Sequence, residues 1–310
     1  MRDRRSELHG LLLVDKPEGI TSAAVVACVK RTLRQRKVGH LGTLDPFATG
    51  LLPVCIGEGT KIAPFLAEDE KRYTGEIALG VVTDTLDRTG TVEERRAVPR
   101  FSTARLAEAI APFRGDILQT PPMYSALKRD GVPLYRLARA GQTIERAPRP
   151  VRIACFDVAC MADDRLAFAV TCSRGTYIRV LAHDLGQALG TGAHLATLRR
   201  TACGPFDVRH AVSLTDLERA AEEGRLPLLS PSEALASLRA VEVDRPTITA
   251  IRRGQQRALA ALGVPERAGE MIRVASPAGE LVAIAAAAAD GSTWHLARVM
   301  IGTGADGNIA

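Results

Sequence analysis

The sequence predicts a fold of mixed α and β structure, followed by a small unit built mainly of strands. Strands are predicted where apolar and polar residues alternate, at 10–15, 71–80, 151–158 and 166–172. Helices are predicted at 21–33, 103–113 and 180–189, with shorter ones at 60–66 and 133–140. From 241 to 302, short strands, one helix near 246–253 and turns at three glycines suit a small β-barrel.

Length and composition describe an ordinary globular protein. The 310 residues leave room for two domains and a large core, and 46% hydrophobic with 25% charged residues is typical of such chains. The longest apolar run, Leu281 to Ala289, is too short to cross a membrane, and the apolar stretch at 11–14 is too short for a secretory signal. We therefore expect a cytoplasmic protein with no membrane partner.

The sequence contains no pattern typical of a metal or cofactor site. Its six cysteines are scattered and form no C-x-x-C pair, and Cys155 and Cys160 lack a matching histidine pair. Asp84 and Asp87 lack the third acidic ligand of a calcium loop, so a solvated turn is predicted there. The glycines at 57–61 lack the spacing of a nucleotide-binding loop. We expect no metal and no cofactor.

Positive charge is concentrated in two segments of a chain whose net charge is +6. Residues 30–37 contain five cations in eight positions. Residues 114–152 contain eight cations against three acids, and the prolines within them indicate an insertion that extends from the core. Each segment alone is compatible with a solvated face. Because the two flank one candidate catalytic loop, contacts with the phosphates of a nucleic acid explain them better.

That candidate loop is Val38–Pro53, where glycine and proline recur too often for a helix or a regular strand. It carries His40 and Asp45, five residues apart, and Pro46 pushes the backbone of Asp45 toward an extended conformation. A carboxylate in a partly apolar, glycine-shaped loop is a candidate nucleophile or acid–base group. The residues alone leave open an Asp-Pro turn beside a structural histidine.

The segment Gly39-His40-x-Gly42-Thr43-Leu44-Asp45-Pro46-x-Ala48-Thr49-Gly50-Leu51-Leu52-Pro53 closely resembles the signature of the TruB family of tRNA pseudouridine synthases. Leu41 departs from it, since many members have threonine or another small residue there. Two further segments resemble the family, Cys172–Arg179 and His194–Thr201, the latter leading to Gly204-Pro205-Phe206. The resemblance spans about residues 1–206.

The resemblance implies an α+β fold, with a pseudouridine synthase-like mixed sheet that is mainly antiparallel and flanked by helices. It implies a catalytic domain at 1–235, in which the basic insertion at about 114–152 grips the tRNA stem-loop. The β-rich segment at 240–304 resembles, more loosely, the PUA domain that contacts RNA in this family. A monomer is expected on the same grounds.

Given that resemblance, chemistry assigns a role to each matched residue. Asp45 is the expected catalytic carboxylate, and Arg179 is its expected ion-pair partner, which would lower the pKa of Asp45 and keep it ionised. Tyr73 would offer a ring face to the uracil and a phenol near C5, where a proton is lost. Other substrate contacts are expected from His40 beside the flipped nucleotide, Tyr177 and Leu198 lining the pocket, and Lys16, Lys61 and Lys128 on phosphates.

The leading hypothesis is an isomerase that converts uridine at position 55, in the T loop of tRNA, into pseudouridine. The reaction needs no cofactor, but the target base must leave its stack to enter a pocket. A non-catalytic tRNA-binding or tRNA-folding protein is the alternative, which the intact Asp45, Tyr73 and Arg179 disfavour. A cofactor-free carboxylate hydrolase is disfavoured because no second catalytic acid is matched.

Overall fold

A computed structural model of the chain describes residues 7–66 and 70–300. Strands and helices alternate through most of this range. The strands are β1 Gly10–Lys16, β2 Val38–His40, β3 Thr49–Ile56, β4 Lys71–Leu79, β5 Val81–Thr83, β6 Val92–Arg95, β7 Gly115–Gln119, β8 Lys128–Arg129, β9 Val132–Pro133, β10 Arg149–Ala162, β11 Arg165–Cys172, β12 Ala193–Cys203, β13 Phe206–Asp207, β14 Leu228–Leu229, β15 Arg239–Glu242, β16 Met271–Ala275, β17 Leu281–Ala287 and β18 Trp294–Val299.

The helices are short, and most begin at a side chain that accepts a hydrogen bond from the first turn. They are α1 Ser22–Leu33, α2 Ala63–Leu66, α3 Thr103–Ile110, α4 Leu134–Arg139, α5 Ile178–Leu189, α6 Leu214–Glu222, α7 Pro231–Ala234 and α8 Arg245–Arg252. In α1 the hydroxyl of Thr21 accepts from the amide of Ala24, as the preference of helix starts for threonine predicts. No helix of the described residues is long and apolar enough to cross a bilayer.

Ten strands form the central sheet, in the order β14-β1-β3-β12-β4-β11-β10-β7, with β2 beside β3 and β13 beside β12. All neighbours in this sheet are antiparallel except β3 and β12. The mixed, mainly antiparallel sheet predicted from the resemblance is therefore confirmed. The parallel contact is tight, since a Cβ on Gly50 would lie 2.3 Å from the main-chain oxygen of Arg200.

Helices cover the sheet and divide its core into clusters. α1 and α6 pack on strands β1 and β3, where Val25, Val29 and Leu217 meet buried leucines and valines. α3 and α5 pack on strands β4 and β10–β12. This second cluster includes Leu44 and Phe47 from the predicted catalytic loop, so that loop is anchored to the core on its apolar side.

The signature segment is less irregular than its glycines and prolines predict. Both of its ends are strands, β2 and β3, and only 41–48 is a loop. Proline is tolerated in β3 because Pro53 pairs with Leu13 of β1 on one side and lies just beyond the end of β2 on the other. The carbonyl of Pro53 still accepts a hydrogen bond from the amide of Leu41, at 2.9 Å.

The predicted basic insertion is also shorter than 114–152. Its first and last parts belong to the sheet, since β7 pairs with the start of β10, from Gln119 opposite Arg149 to Gly115 opposite Ile153. The segment that leaves the sheet is 120–148, and it contains the hairpin of β8 and β9 and the helix α4. We call this segment the basic excursion.

The C-terminal unit is a four-stranded sheet in the order β15-β16-β17-β18, with β15 parallel to β16. In the described range it is an open sheet, so the predicted closure into a barrel is not observed there. It shares a core cluster with the central sheet, in which Leu281, Ile284 and Met300 join Leu11 and Leu51. The predicted helix near 246–253 is confirmed as α8.

Candidate active site

The predicted ion pair is present. Asp45 lies in the 41–48 loop and Arg179 in the first turn of α5, and the guanidinium meets the carboxylate with two nitrogens. Arg179 Nε lies 2.8 Å from one carboxylate oxygen of Asp45, and Nη2 lies 3.4 Å from the other. Arg179 is buried, whereas 34% of the Asp45 side chain remains exposed. Arg179 therefore fixes the orientation of the carboxylate, while part of the carboxylate remains accessible to solvent.

Hydrogen bonds to the main chain on both sides of Asp45 hold the loop. The Ser22 hydroxyl, at the start of α1, donates to the carbonyl of Leu44 at 3.0 Å and accepts from its amide at 2.9 Å. Immediately after Asp45, the carbonyl of Pro46 accepts from the amide of Gly19 at 2.8 Å. The backbone at the carboxylate is thus fixed by elements that precede it in the chain.

Lys16 is part of this support and not a phosphate contact. Its side chain is wholly buried at the end of β1. The ammonium donates to the carbonyls of Pro17, Ile20 and Pro46 at 2.9, 2.8 and 3.1 Å, which uses all three of its donors. The prediction that Lys16 binds phosphate is therefore wrong, because its ammonium is buried and its donors are used by main-chain carbonyls.

Asp87 is a member of the site that sequence reasoning missed. The turn at 84–90 was predicted to be solvated, but Asp87 is buried, and its carboxylate lies 3.6 Å from Nη1 of Arg179. It accepts hydrogen bonds from the hydroxyls of Thr85 and Thr89, at 2.8 and 2.6 Å, and from the amide of Thr89 at 2.9 Å. The threonines around Asp87 are the sequence feature that indicates its burial, because their hydroxyls donate hydrogen bonds to a carboxylate that is removed from water.

Arg179 is held by carbonyls as well as by carboxylates. It donates to the main-chain oxygens of Thr85 and Tyr124, each at 2.8 Å. Tyr124 belongs to the basic excursion, and its phenol donates to Asp84 at 3.2 Å. The arginine that aims Asp45 therefore also contacts the buried turn and the segment expected to grip RNA.

The pKa of Asp45 is raised above its ordinary value. Burial of the carboxyl group is the largest cause, and the nearby carboxylate of Asp87 acts in the same direction. Arg179 and Lys16 oppose both effects, since each favours the ionised form. The sequence-based expectation of a lowered pKa considered only Arg179, whereas the desolvation that outweighs it depends on the packed loop.

Above the ion pair lies an open cavity of about 340 Å³. Its lining includes Asp45, Asp87, Arg179, Tyr124 and, from α4 of the basic excursion, Arg139. A second cavity of about 630 Å³ adjoins it beneath the excursion and shares Asp84 and Tyr124 with it. The described residues contain no group of three or more His, Cys, Asp or Glu side chains that could hold a metal ion.

Tyr73 and Leu198 lie next to each other under the loop. They come from the neighbouring strands β4 and β12, both are buried, and both pack in the cluster that contains Leu44 and Phe47. Burial raises the pKa of the Tyr73 phenol. Neither side chain lines the 340 Å³ cavity. Their predicted contact with a uracil therefore requires the base to enter beside the 41–48 loop.

Tyr177 and His40 are both half-buried side chains. The main chain of Tyr177, just before α5, exchanges two hydrogen bonds with the side chain of Gln119, at 2.8 and 3.1 Å. Its ring is half-buried and does not line the 340 Å³ cavity. His40 is half-buried at the end of β2, and burial together with the Arg200 guanidinium lowers its pKa. Both effects favour the neutral imidazole.

The two remaining lysines have different settings. Lys61 lies 2.5 Å from a carboxylate oxygen of Glu58 and 3.5 Å from the carbonyl of Val299 in the C-terminal unit. It lies just beyond β3 and does not line the 340 Å³ cavity, so its predicted phosphate contact would lie elsewhere on the RNA and stays a prediction. Lys128 is exposed on β8 of the basic excursion.

Comparisons with known proteins show the family and the fold of the chain. Residues 30–178 match the TruB family pseudouridylate synthase (N terminal domain), and 179–237 match the tRNA pseudouridylate synthase B C-terminal domain. The tRNA pseudouridine synthase B of Geobacter sulfurreducens is 47% identical over 249 residues, which cover 80% of this chain and 82% of that one. The protein of that name from Stutzerimonas stutzeri is 52% identical over 221 residues, covering 71% and 72%.

Among solved structures, a chain of a Cbf5-Nop10-Gar1 complex superposes with a TM-score of 0.72 and 26% identity, covering 95% of this chain and 86% of that one. An H/ACA RNP bound to a substrate RNA containing 2′-deoxyuridine gives the same TM-score at 24% identity, with the same coverage, which shows the shared fold. The sequence matches span most of the central sheet and include Asp45, Tyr73 and Arg179. The chain therefore belongs to the TruB family of pseudouridylate synthases.

Proposed function

We propose that this chain isomerises uridine to pseudouridine at position 55, in the T loop of tRNA, with Asp45 as the catalytic carboxylate. The observation that carries the proposal is the two-pronged contact of buried Arg179 with Asp45 below an open cavity. Relatives of 46–52% identity are named tRNA pseudouridine synthase B, which supports both the reaction and the substrate.

The reaction breaks the bond between N1 of the uracil and C1′ of the ribose and forms a bond from C5 to C1′. C5 loses its proton and N1 gains one, so the product is an isomer and no co-reactant is needed. Asp45 starts the reaction as a carboxylate, either by adding to the nucleotide or by promoting elimination at the sugar. Arg179 aims the carboxylate and favours its ionised form.

The residues around this pair are proposed to hold the flipped base. Tyr73 offers a ring face to the uracil and a phenol toward C5, and Leu198 packs beside it. Tyr177 closes the pocket near α5. His40 contacts the RNA next to the flipped nucleotide as a neutral imidazole. Contacts of this kind offset the few kcal/mol that unstacking a base costs.

The basic excursion is proposed to bind the T stem. Lys128 is exposed on it, and Arg139 reaches the rim of the catalytic cavity. We further propose that 1–235 forms the catalytic domain and that 240–304 is a PUA-like RNA-binding domain. A monomeric state and a cytoplasmic location stay predictions from the sequence.

The hydrolase hypothesis needs a second acid that can exchange protons with substrate. Asp87 is the best candidate for this second acid, because Arg179 contacts the carboxylates of both Asp45 and Asp87. It is buried and already accepts three hydrogen bonds from Thr85 and Thr89. Asp87 is therefore suited to hold Arg179 and not to act on a water molecule.

The test is to map pseudouridine in an unmodified tRNA transcript after incubation with the purified protein. We expect conversion at the T-loop uridine by the wild type and no conversion by Asp45→Asn, which should still bind tRNA. Asp163→Asn, an exposed turn residue, is the matched control and should remain active. Conversion by Asp45→Asn would remove Asp45 from the mechanism. Tight binding without conversion by the wild type would favour the tRNA-binding or tRNA-folding hypothesis.

A further inference from the structure

Arg200 is a buried cation that the proposed chemistry does not use. It lies on β12 with 1% of its surface exposed. On one side it stands directly opposite Tyr73 of β4, and on the other it stands opposite Gly50 of β3. Directly opposed residues of antiparallel strands place their side chains on the same face. The guanidinium therefore lies beside Tyr73, between the proposed uracil platform and the strand that follows the catalytic loop.

The guanidinium donates hydrogen bonds to both flanks of that loop. Nε lies 2.7 Å from the carbonyl of Leu51, after the loop, and Nη2 lies 3.0 Å from the carbonyl of Gly42, before Asp45. Tyr73 stands directly opposite Arg200 in the neighbouring strand, on the same face of the sheet. One rigid planar group thus connects the start of the loop with the strand after it, directly opposite the tyrosine.

The carbonyl before Asp45 that accepts from Arg200 belongs to a glycine in a left-handed conformation. Gly42 has a φ of +79°, a conformation that side chains other than glycine rarely adopt. A Cβ there would lie 3.4 Å from Nη1 of Arg200. In the described residues Arg200 forms no ion pair with a carboxylate, so its buried charge is satisfied only by neutral acceptors. Such an arrangement is costly for stability alone, since burying a cation without a counterion is unfavourable.

We propose that Arg200 is a positioning residue for the isomerase reaction: it sets the catalytic loop that carries Asp45 at a defined position relative to Tyr73. The inference rests on the proposed function, because it assumes that both residues act on the same flipped uridine. A base bound against Tyr73 meets Asp45 correctly only if the loop and the strand β4 keep their relative placement. Arg200 donates to the loop and stands directly opposite Tyr73.

The neighbouring residue provides a matched control. Arg199 points to the opposite face of β12 and forms a two-pronged ion pair with Asp15, at 3.0 and 2.7 Å, with 41% of its side chain exposed. It has the same charge and lies in the same strand, but it contacts neither the 41–48 loop nor Tyr73 in the described hydrogen bonds. Changes at Arg199 therefore report on stability of the strand without touching the proposed geometry.

The experiment compares Arg200→Met and Arg200→Lys with Arg199→Met and Arg199→Lys. Single-turnover rates at saturating tRNA, tRNA affinities and melting temperatures are measured for all four. We expect Arg200→Met to lower the rate about 100-fold, the size of effect that a misplacement of about 1 Å produces. We expect its tRNA affinity to stay within about twofold of the wild type. Arg200→Lys should recover part of the rate, because it keeps the charge and one of the carbonyl contacts.

The outcome that overturns the inference is a wild-type rate per folded molecule in Arg200→Met, or an equal loss in Arg199→Met. Arg200→Lys with Tyr73→Phe supplies a second test if the methionine variant folds poorly. Because Arg200 and Tyr73 stand directly opposite each other in neighbouring strands, the two substitutions should be less than additive. Full additivity would show that Arg200 does not act through the Tyr73 phenol.

A third readout needs no turnover. Arg200 lowers the pKa of His40, so in Arg200→Met the His40 ring should titrate at higher pH, as followed by NMR of the imidazole protons. An unchanged His40 titration would contradict the described placement of Arg200. Failure of the proposed function is recognised separately, because the wild type would then convert no tRNA in the same assay.

Discussion

Replacing Asp87 with Asn tests the buried charge network behind the candidate catalytic carboxylate. The Asp87 carboxylate lies 3.6 Å from Nη1 of Arg179, and both side chains are only 5% exposed. At an effective dielectric constant of about 20, two unit charges at this distance attract each other by about 5 kcal/mol. Breaking a buried pair costs less than this gross value here, because Asp45 still balances the arginine. We expect the free energy of unfolding to fall by about 2–4 kcal/mol.

The same substitution should change catalysis in a way that stability alone does not. Asp87 raises the pKa of Asp45, so removing its charge lets Asp45 ionise at lower pH. The acid limb of the single-turnover pH profile should therefore move to lower pH. On the plateau we expect a rate about 10- to 100-fold lower, because Arg179 loses one of the contacts that aim it at Asp45.

The assays are urea unfolding and single-turnover conversion of an unmodified tRNA transcript across a pH series. Asp116→Asn is the control, since Asp116 forms an ion pair with Arg152 at 3.2 Å in which both side chains are largely exposed. Such a pair contributes at most about 1 kcal/mol. A wild-type unfolding free energy in Asp87→Asn, or an acid limb displaced to higher pH, would refute the charge network described above.

Three further predictions concern pH, the loop and the excursion. Wild-type activity should fall as the pH drops through the pKa of Asp45, which burial raises above 3.8, and a pH–rate profile with an acid limb at or below 3.8 would contradict this. Lys16→Met should lower the free energy of unfolding by about 1–3 kcal/mol, because it leaves buried carbonyls without their donor; exposed Lys30→Met should not. Since the folded-state pKa of Lys16 is lowered to about 8 from 10.5, the unfolded chain binds the extra proton in that window. Wild-type stability should therefore rise between pH 8 and 10.5 by an increment that Lys16→Met lacks. Lys128→Gln combined with Arg129→Gln should weaken tRNA binding and reduce the slope of log affinity against log salt by about 1 per lost phosphate contact, with the rate at saturating tRNA unchanged.

Local pattern was enough for several of the longer elements, whereas β3 was predicted as a loop and β12 was not predicted. The alternation at 71–80 and 166–172 and the helical spacing at 180–189 became β4, β11 and α5 with nearly the expected bounds. Motif resemblance placed Asp45 and Arg179 in one site although they lie far apart in the chain, and the structure joins them at 2.8 Å. These features depend on residues close together in sequence or on a motif long enough to be specific.

The tertiary structure decided which polar side chains are buried. Lys16, Asp87 and Arg200 all have sequence neighbours typical of exposed turns and strand ends, yet each is enclosed by elements from elsewhere in the chain. Whether a charge is solvated depends on packing around it, and packing is a property of contacts between distant segments. The sign of the Asp45 pKa shift was missed for the same reason, because desolvation outweighs its arginine partner.

The sequence by itself thus determined the family, the longer helices, four strands of the central sheet, and the pairing of Asp45 with Arg179. The tertiary structure alone decided where the basic excursion begins, because β7 and β10 are continuous with the sheet through main-chain hydrogen bonds that no local pattern encodes. It also decided that Lys61 lies at the contact with the C-terminal unit. Residue type sets what a side chain can do, whereas long-range contacts set its burial and its partners, and therefore what it does here.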